Sequence, residues 1–147
     1  MLYDTISMKE SIRHVFFIFT FIEVNVKNKI LVVDDDALCR KAAILFTKNT
    51  DFLIEAVSSG KACIEFIKNN NVDLILLDME MPEMNGYETL KEIRKTGILR
   101  NIPVVFMSGT EELLKKAISD GCTVEGILKK PFNPDTLIKT IQHVING

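Results

Sequence analysis

Four apolar stretches of this chain each run into residues able to handle phosphate or a divalent cation. Ile30–Val33 stops at three consecutive aspartates, Asp34, Asp35 and Asp36. Val72–Leu77 stops at Asp78, Pro103–Met107 at Ser108 and Gly109, and Gly126–Leu128 at Lys129, Lys130 and Pro131. Carboxylates brought together repel, and each is driven toward its neutral form. A hard divalent cation relieves that repulsion, and Mg²⁺ prefers a few carboxylates together with water and phosphate oxygens. An aspartate can also act as a nucleophile toward a phosphoryl group, giving an aspartyl phosphate. Such transfer asks little of a protein beyond positioning and charge neutralisation. Mg²⁺, a lysine and a hydroxyl would supply both.

Those residues act together only if the chain brings them to one place. From Lys29 onward, short apolar runs alternate with amphipathic stretches. Strands are predicted at Ile30–Val33, Phe52–Val57, Val72–Leu77, Pro103–Met107 and Gly126–Leu128. Helices are predicted at Ala37–Asn49, Lys61–Asn69, Tyr87–Lys95, Glu111–Ser119 and Asn133–Ile145, with Pro134 in the first turn of the last. Five β-then-α units imply an α/β fold: a doubly wound parallel sheet covered on both faces. The flavodoxin-like strand order 2-1-3-4-5 is the common solution for five strands, with ligands outside the carboxyl ends. That order sets strands one, three, four and five side by side. Their carboxylates, hydroxyl and ammonium then share one edge.

Composition narrows the function classes. The 147 residues suffice for one domain, and 47% hydrophobic with 26% charged residues is ordinary for a soluble protein. A net charge of −2 argues against a nucleic-acid surface. The three cysteines, Cys39, Cys63 and Cys122, are scattered and form no CxxC pair, which reads as reduced thiols in a cytoplasmic protein. His14 and His143 have no partner spacing for zinc. The apolar run Val15–Ile22 is shorter than the roughly 20 residues of a membrane span and lacks a cleavage site. No membrane association is expected.

With these residues assembled, the sequence resembles the receiver domains of bacterial two-component response regulators, from about Lys29 to the C-terminus. The motifs are ILVVDDD, LILLDMEMPEMNG, VVFMSG and LKKPF, in that order and at the family's intervals. The resemblance implies that Asp78 is the phosphoacceptor. It implies that Asp35 binds Mg²⁺ directly, Asp34 acts mostly through water, and the backbone carbonyl of Glu80 completes the protein's metal ligands. Ser108 would bond one phosphoryl oxygen and move toward it on activation. Lys130 would pair with another, aimed inward by a cis Lys130–Pro131 peptide, and Gly109 would leave the phosphate pocket open. The implied partners are a sensor histidine kinase or phosphotransfer protein upstream and a protein downstream. With the sequence ending at Gly147, output is expected through protein contacts or onward phosphotransfer.

Two features depart from the family. Where it often carries Tyr or Phe on strand five, this chain has Ile127, so an aliphatic residue would have to repack in place of the aromatic switch. The stretch Cys122–Glu125 before strand five is long. Blander roles accompany the chemical ones: Asp36 is equally well a helix N-cap, Lys129 an exposed charge, and Met79, Met81 and Met84 packing residues. An enzyme-class alternative is a haloacid-dehalogenase-like phosphatase, which also uses an Asp after a strand. It would need a further acidic pair after the lysine, and none follows Lys130.

Residues 1–28 fall outside the resemblance, so the domain is read as 29–147 with an N-terminal extension. In that extension Phe17, Phe19 and Phe21 alternate with Ile18, Thr20 and Ile22, a strand pattern apolar on both faces. This stretch also resembles the final strand of a histidine-kinase ATP-binding domain, which would make the chain part of a hybrid kinase. An extra strand, a partner-binding arm and a start at Met8 are the other readings.

Overall fold

The computed structural model describes residues 2–21, 27–95, 97 and 101–147, and within the first helix the side chains of 7–16. Its elements are α1 (Leu2–Phe21), β1 (Asn28–Val33), α2 (Ala37–Phe46), β2 (Phe52–Val57), α3 (Gly60–Asn69), β3 (Leu74–Asp78), α4 (Gly86–Lys95), β4 (Val104–Ser108), α5 (Glu112–Ser119), β5 (Gly126–Lys129) and α6 (Pro134–Asn146). The strands form one sheet in the order β2-β1-β3-β4-β5, and every pairing is parallel. This is the doubly wound architecture that the alternation of elements predicts.

Period-two geometry sorts each strand's residues between two cores. Leu31, Val33, Ile75, Leu77, Val104 and Phe106 point to one face, where Cys63 and Ile67 of α3, Leu90 and Ile93 of α4 and Ala117 of α5 meet them. Ile30, Val32, Leu74, Leu76, Val105 and Met107 point to the other, covered by Ala43 of α2 and by Leu137 and Ile141 of α6. Because both faces are buried, β3 and β4 are apolar at consecutive positions until their final residues, Asp78 and Ser108. Each fully buried Leu or Ile contributes about 1.5–3 kcal/mol of transfer free energy. Met79 and Met81 also lie in the first core, which fits packing rather than a soft metal site.

Helix starts follow local chemistry. Asp36 caps α2 by accepting from the Leu38 amide at 2.8 Å, so its structural role is realised. Ser59 caps α3 and Asn133 caps α6, whose first turn holds Pro134. Before α4, the Asn85 side chain accepts from the Glu88 amide at 2.8 Å, and Glu88 accepts from the Asn85 amide at 3.0 Å. This reciprocal capping box fixes where α4 begins. Gly86 sits directly against the end of β3, where a Cβ would fall 2.4 Å from the Asp78 carbonyl oxygen. A side chain there would push the α4 start away from the strand end that carries Asp78.

Several boundaries differ from the sequence reading. α2 ends at Phe46 rather than Asn49, because the Thr47 hydroxyl bonds the Ala43 carbonyl at 2.8 Å and the chain turns. The long connection before β5 is closed by Gly121 at φ +80°, with the amides of Gly121 and Cys122 returning to the carbonyls of Ile118 and Ala117. The largest correction concerns the extension. The predicted strand around Phe17–Ile22 is helical in α1 through Phe21, while Ile22 lies outside the described residues. An alternation that is apolar on both faces cannot distinguish strand from helix. Without a neighbouring strand, only a helix satisfies the backbone locally. The side chains of residues 7–16 are all exposed.

Candidate functional site

The strand order carries the acidic residues to one edge. β1 lies beside β3, β3 beside β4 and β4 beside β5, so the chain segments that leave these strands are neighbours. Pairing of Val33 with Leu77 brings the next residues, Asp34 and Asp78, together. Ser108 pairs with Lys129, and the Lys130 amide donates to the Ser108 carbonyl at 2.8 Å. The Lys130–Pro131 peptide is cis, as the resemblance implies.

Carboxylate oxygens of Asp34, Asp35 and Asp78 lie within 4.8 Å of one another. Asp34 has no exposed surface and Asp78 has 3%. Asp35 is exposed. The Lys130 ammonium lies 2.6 Å from Asp34 Oδ2 and 3.2 Å from Asp78 Oδ1. Asp34 Oδ2 is buried without a hydrogen bond, so the ammonium charge is what compensates it. Its other oxygen accepts from the Asp36 amide at 2.9 Å. Asp78 Oδ1 accepts from the Glu80 amide at 3.1 Å.

These surroundings set the protonation of the site. Burial pushes the Asp78 carboxyl up to about 6, opposed by the Glu80 amide, reinforced by the Asp34 charge and opposed again by Lys130. Burial pulls the Lys130 ammonium down, but its contact with Asp34 and the charge of Asp78 outweigh burial and raise it. Half-buried Cys39 lies close by, its thiol pushed up to about 12 by burial and by its contact with Asp34.

Ser108 is buried at 4% exposure, and its hydroxyl is engaged away from the carboxylates. It donates to the Thr110 carbonyl at 2.5 Å and accepts from the Thr110 amide at 3.1 Å. The Thr110 hydroxyl in turn donates to the Glu80 carboxylate at 2.5 Å, linking the segments that follow β3 and β4. A Cβ on Gly109 would meet nothing within 4 Å, so the space beside it is open. Asp34, Asp78 and Lys130 are therefore in direct contact, Asp35 completes the cluster, and Ser108 stands at the edge. Lys129 is exposed, and Ile127 on β5 is 45% exposed.

Sequence reasoning passed over three participants. Arg40 and Cys39 come from α2, where helical phase returns residues four to six after an aspartate to the strand end. Thr110, two residues past Ser108, carried no signal of its own.

The donors suit a hard cation. All are oxygens, two of the three carboxylates are buried, and the buried Asp34 Oδ2 accepts no hydrogen bond among the described residues and lies against a positive charge.

Comparison with known proteins decides the family. Residues 30–142 match the model of the response regulator receiver domain. The chain is a member of that family. A rice (Oryza sativa subsp. japonica) protein, two-component response regulator ORR5, is 33% identical over 119 residues, covering 79% of this chain and 87% of the relative. The CpxR homolog of Haemophilus influenzae, a transcriptional regulatory protein, is 32% identical over 80% of this chain but only 50% of its own length. Among solved structures, the chemotaxis protein CheY4 of Vibrio cholerae superposes with a TM-score of 0.74 at 28% identity, covering 81% of this chain and 99% of that one. The receiver domain of the Pseudomonas aeruginosa sensor histidine kinase PA1611 shares the fold at a TM-score of 0.74 and 20% identity, covering 83% of this chain and all of that one. That structure has a magnesium ion coordinated in its active site cleft. As a receiver domain, the chain carries a signalling module. Among the described residues, no helix is long and apolar enough to cross a membrane.

Proposed function

We propose that this receiver is a phosphorylation-operated switch in the cytoplasm, accepting a phosphoryl group on Asp78 from a phosphohistidine of a histidine kinase or phosphotransfer protein. The observation that carries this reading is the nucleophile's setting: a buried aspartate between a second buried carboxylate and a lysine ammonium 3.2 Å away. In the transfer, the phosphorus–nitrogen bond to the donor imidazole breaks as a bond forms to an Asp78 oxygen. The imidazole leaves with the electron pair. Mg²⁺, held by Asp34, Asp35, Asp78 and the Glu80 carbonyl, would neutralise charge on the phosphoryl oxygens.

The chain's own groups do the rest. Lys130 keeps the Asp78 carboxylate anionic against burial and, once the phosphoryl group is attached, offers its ammonium to a phosphoryl oxygen. The Glu80 amide holds Asp78 Oδ1 and so orients the carboxylate. The Ser108 hydroxyl exchanges the Thr110 carbonyl for a phosphoryl oxygen, and that movement passes to the segment leading into α5. Ile127, half-exposed on β5, repacks in place of an aromatic side chain. A downstream protein reads the altered face.

The phosphatase alternative is disfavoured by the receiver family match and by the acidic set, which among the described residues is a single cluster of three carboxylates. A receiver attached to a hybrid kinase would use the same chemistry and differ in what it is joined to.

Acetyl phosphate with Mg²⁺ tests the assignment. One phosphoryl group should be added, and hydroxylamine should remove it, as it does an acyl phosphate. Asp78→Asn keeps the shape and removes the anionic nucleophile, so labelling should vanish from a folded protein. Undiminished labelling of that variant would move the chemistry to Asp34 or Asp35.

A further inference from the structure

One cation beside the acidic cluster has no carboxylate partner among the described residues. Arg40 lies in the first turn of α2, half-buried, and among the described residues it forms no ion pair. Its Nη1 donates to the Asp34 carbonyl at 2.7 Å and to the Asp35 carbonyl at 3.0 Å. Its own amide donates to the Asp36 carbonyl at 3.2 Å. The amide bond is the main-chain bond that opens α2, whereas the guanidinium takes the carbonyls of two consecutive aspartates, Asp34 and Asp35.

This placement runs against simple electrostatics. A positive side chain in the first turn of a helix opposes the helix dipole. It also repels any cation bound a few ångströms away. Its hydrogen bonds give it a use: they fix the peptide units from which the Asp34 and Asp35 side chains project. The carboxylates repel one another, so the orientation of their peptide units matters to how closely they converge. Other tethers at this turn are the Lys130 ammonium on Asp34 Oδ2 at 2.6 Å and the Leu38 amide on Asp36 Oδ1 at 2.8 Å. The Asp34 amide reaches the Val57 carbonyl at 3.2 Å, and the Asp36 amide bonds Asp34 Oδ1.

We infer that Arg40 is a positioning residue whose side chain holds the Asp34 and Asp35 carbonyls so that the Asp34 and Asp35 carboxylates converge with Asp78 on a divalent cation. The inference rests on the reading that the acidic cluster binds Mg²⁺. It makes a prediction of opposite sign to the field effect. Removing a positive charge beside a cation site should tighten cation binding if charge is all that Arg40 contributes. Removing a positioning residue should weaken it.

The test is a Mg²⁺ titration followed by backbone amide signals of Asp34–Asp36, on the wild-type chain, Arg40→Met and Arg40→Lys. Urea unfolding in chelator checks that each variant is folded. Arg40→Met should raise the Mg²⁺ Kd roughly tenfold, as loss of an outer-shell support does. Arg40→Lys, keeping the charge without the reach to both carbonyls, should fall between. An Arg40→Met Kd equal to or below that of the wild type overturns the inference while leaving the Mg²⁺ site standing. If Arg40→Met does not fold, Arg40→Lys decides, and an unchanged Kd there overturns the inference. A wild-type chain that does not bind Mg²⁺ overturns the site reading and the inference with it, and is recognised because the wild type itself gives no titration.

Discussion

Lys130 Nζ lies 2.6 Å from Asp34 Oδ2, an oxygen on a residue with no solvent exposure. The lysine side chain is itself 23% exposed, so the ion pair is largely withdrawn from solvent. Lysine here is the counter-charge that permits two aspartates to be buried side by side.

Removing the ammonium should destabilise the metal-free protein. Lys130→Met leaves Asp34 and Asp78 buried without a cation, and breaking a buried pair in this way costs about 3 kcal/mol. Urea unfolding in chelator should show that loss. Mg²⁺ should recover part of it, giving the variant a larger Mg²⁺-dependent stabilisation than the wild type. Equal stability of the two proteins in chelator would show that Lys130 is not the compensating charge.

The raised Asp78 carboxyl gives a pH dependence of defined sign. Its native value is about 6, above the ordinary carboxylate value of 3.8. In that window the native state holds the proton more tightly than the unfolded chain does. The contribution of this group to stability is therefore present below pH about 4 and lost as pH rises through about 6. Asp78→Asn, which cannot ionise, should be more stable than the wild type at pH 7.5 in chelator, with the advantage shrinking as pH falls toward 4. Thermal unfolding of both proteins across that range measures it. A constant difference would assign the effect to something other than ionisation of Asp78.

Mg²⁺ should raise the thermal midpoint of the wild type. Binding to the native state alone stabilises by about 2.7 kcal/mol at a hundredfold excess over Kd. Asp35→Asn should weaken this response, since Asp35 is the exposed member of the cluster and is not held by Lys130. A full response in Asp35→Asn would leave Asp34 and Asp78 as the metal's carboxylates.

The switch chemistry should survive removal of the N-terminal extension. Every candidate site residue lies at or after Asp34, and the described side chains of α1 are exposed. A chain shortened to begin at Lys27 should fold and accept one phosphoryl group from acetyl phosphate at an unchanged rate. Insolubility or loss of labelling would make α1 part of the folded unit.

The fold was legible because both core faces are written as continuous apolar runs. Leu74–Leu77 and Val104–Met107 have the length and composition of fully buried strands, and polar residues stand where each run meets the sheet edge. Asp34, Asp78, Ser108 and Lys130 could be assigned for the same reason: a polar residue at the end of such a strand stands out. Arg40 could not, because an arginine in an amphipathic helix is ordinary until its distance to a carbonyl is known. Ser108 was legible in place but not in state, since the Thr110 carbonyl that holds its hydroxyl is a backbone atom. The extension misled for lack of context, as Phe17–Phe21 fits either a strand or a helix until a neighbouring strand is present or absent.

The cluster also has a history during synthesis. Asp34, Asp35 and Asp78 come from the ends of β1 and β3, and their counter-charge follows β5, close to the C-terminus. A ribosome delivers the acids first and the lysine last. Until Lys130 is made, the three carboxylates lack the ammonium that contacts Asp34 and Asp78 in the finished fold. Pairings between such distant segments form slowly. The counter-charge of the cluster is therefore in place only once β5 has paired with β4 and the sheet is closed.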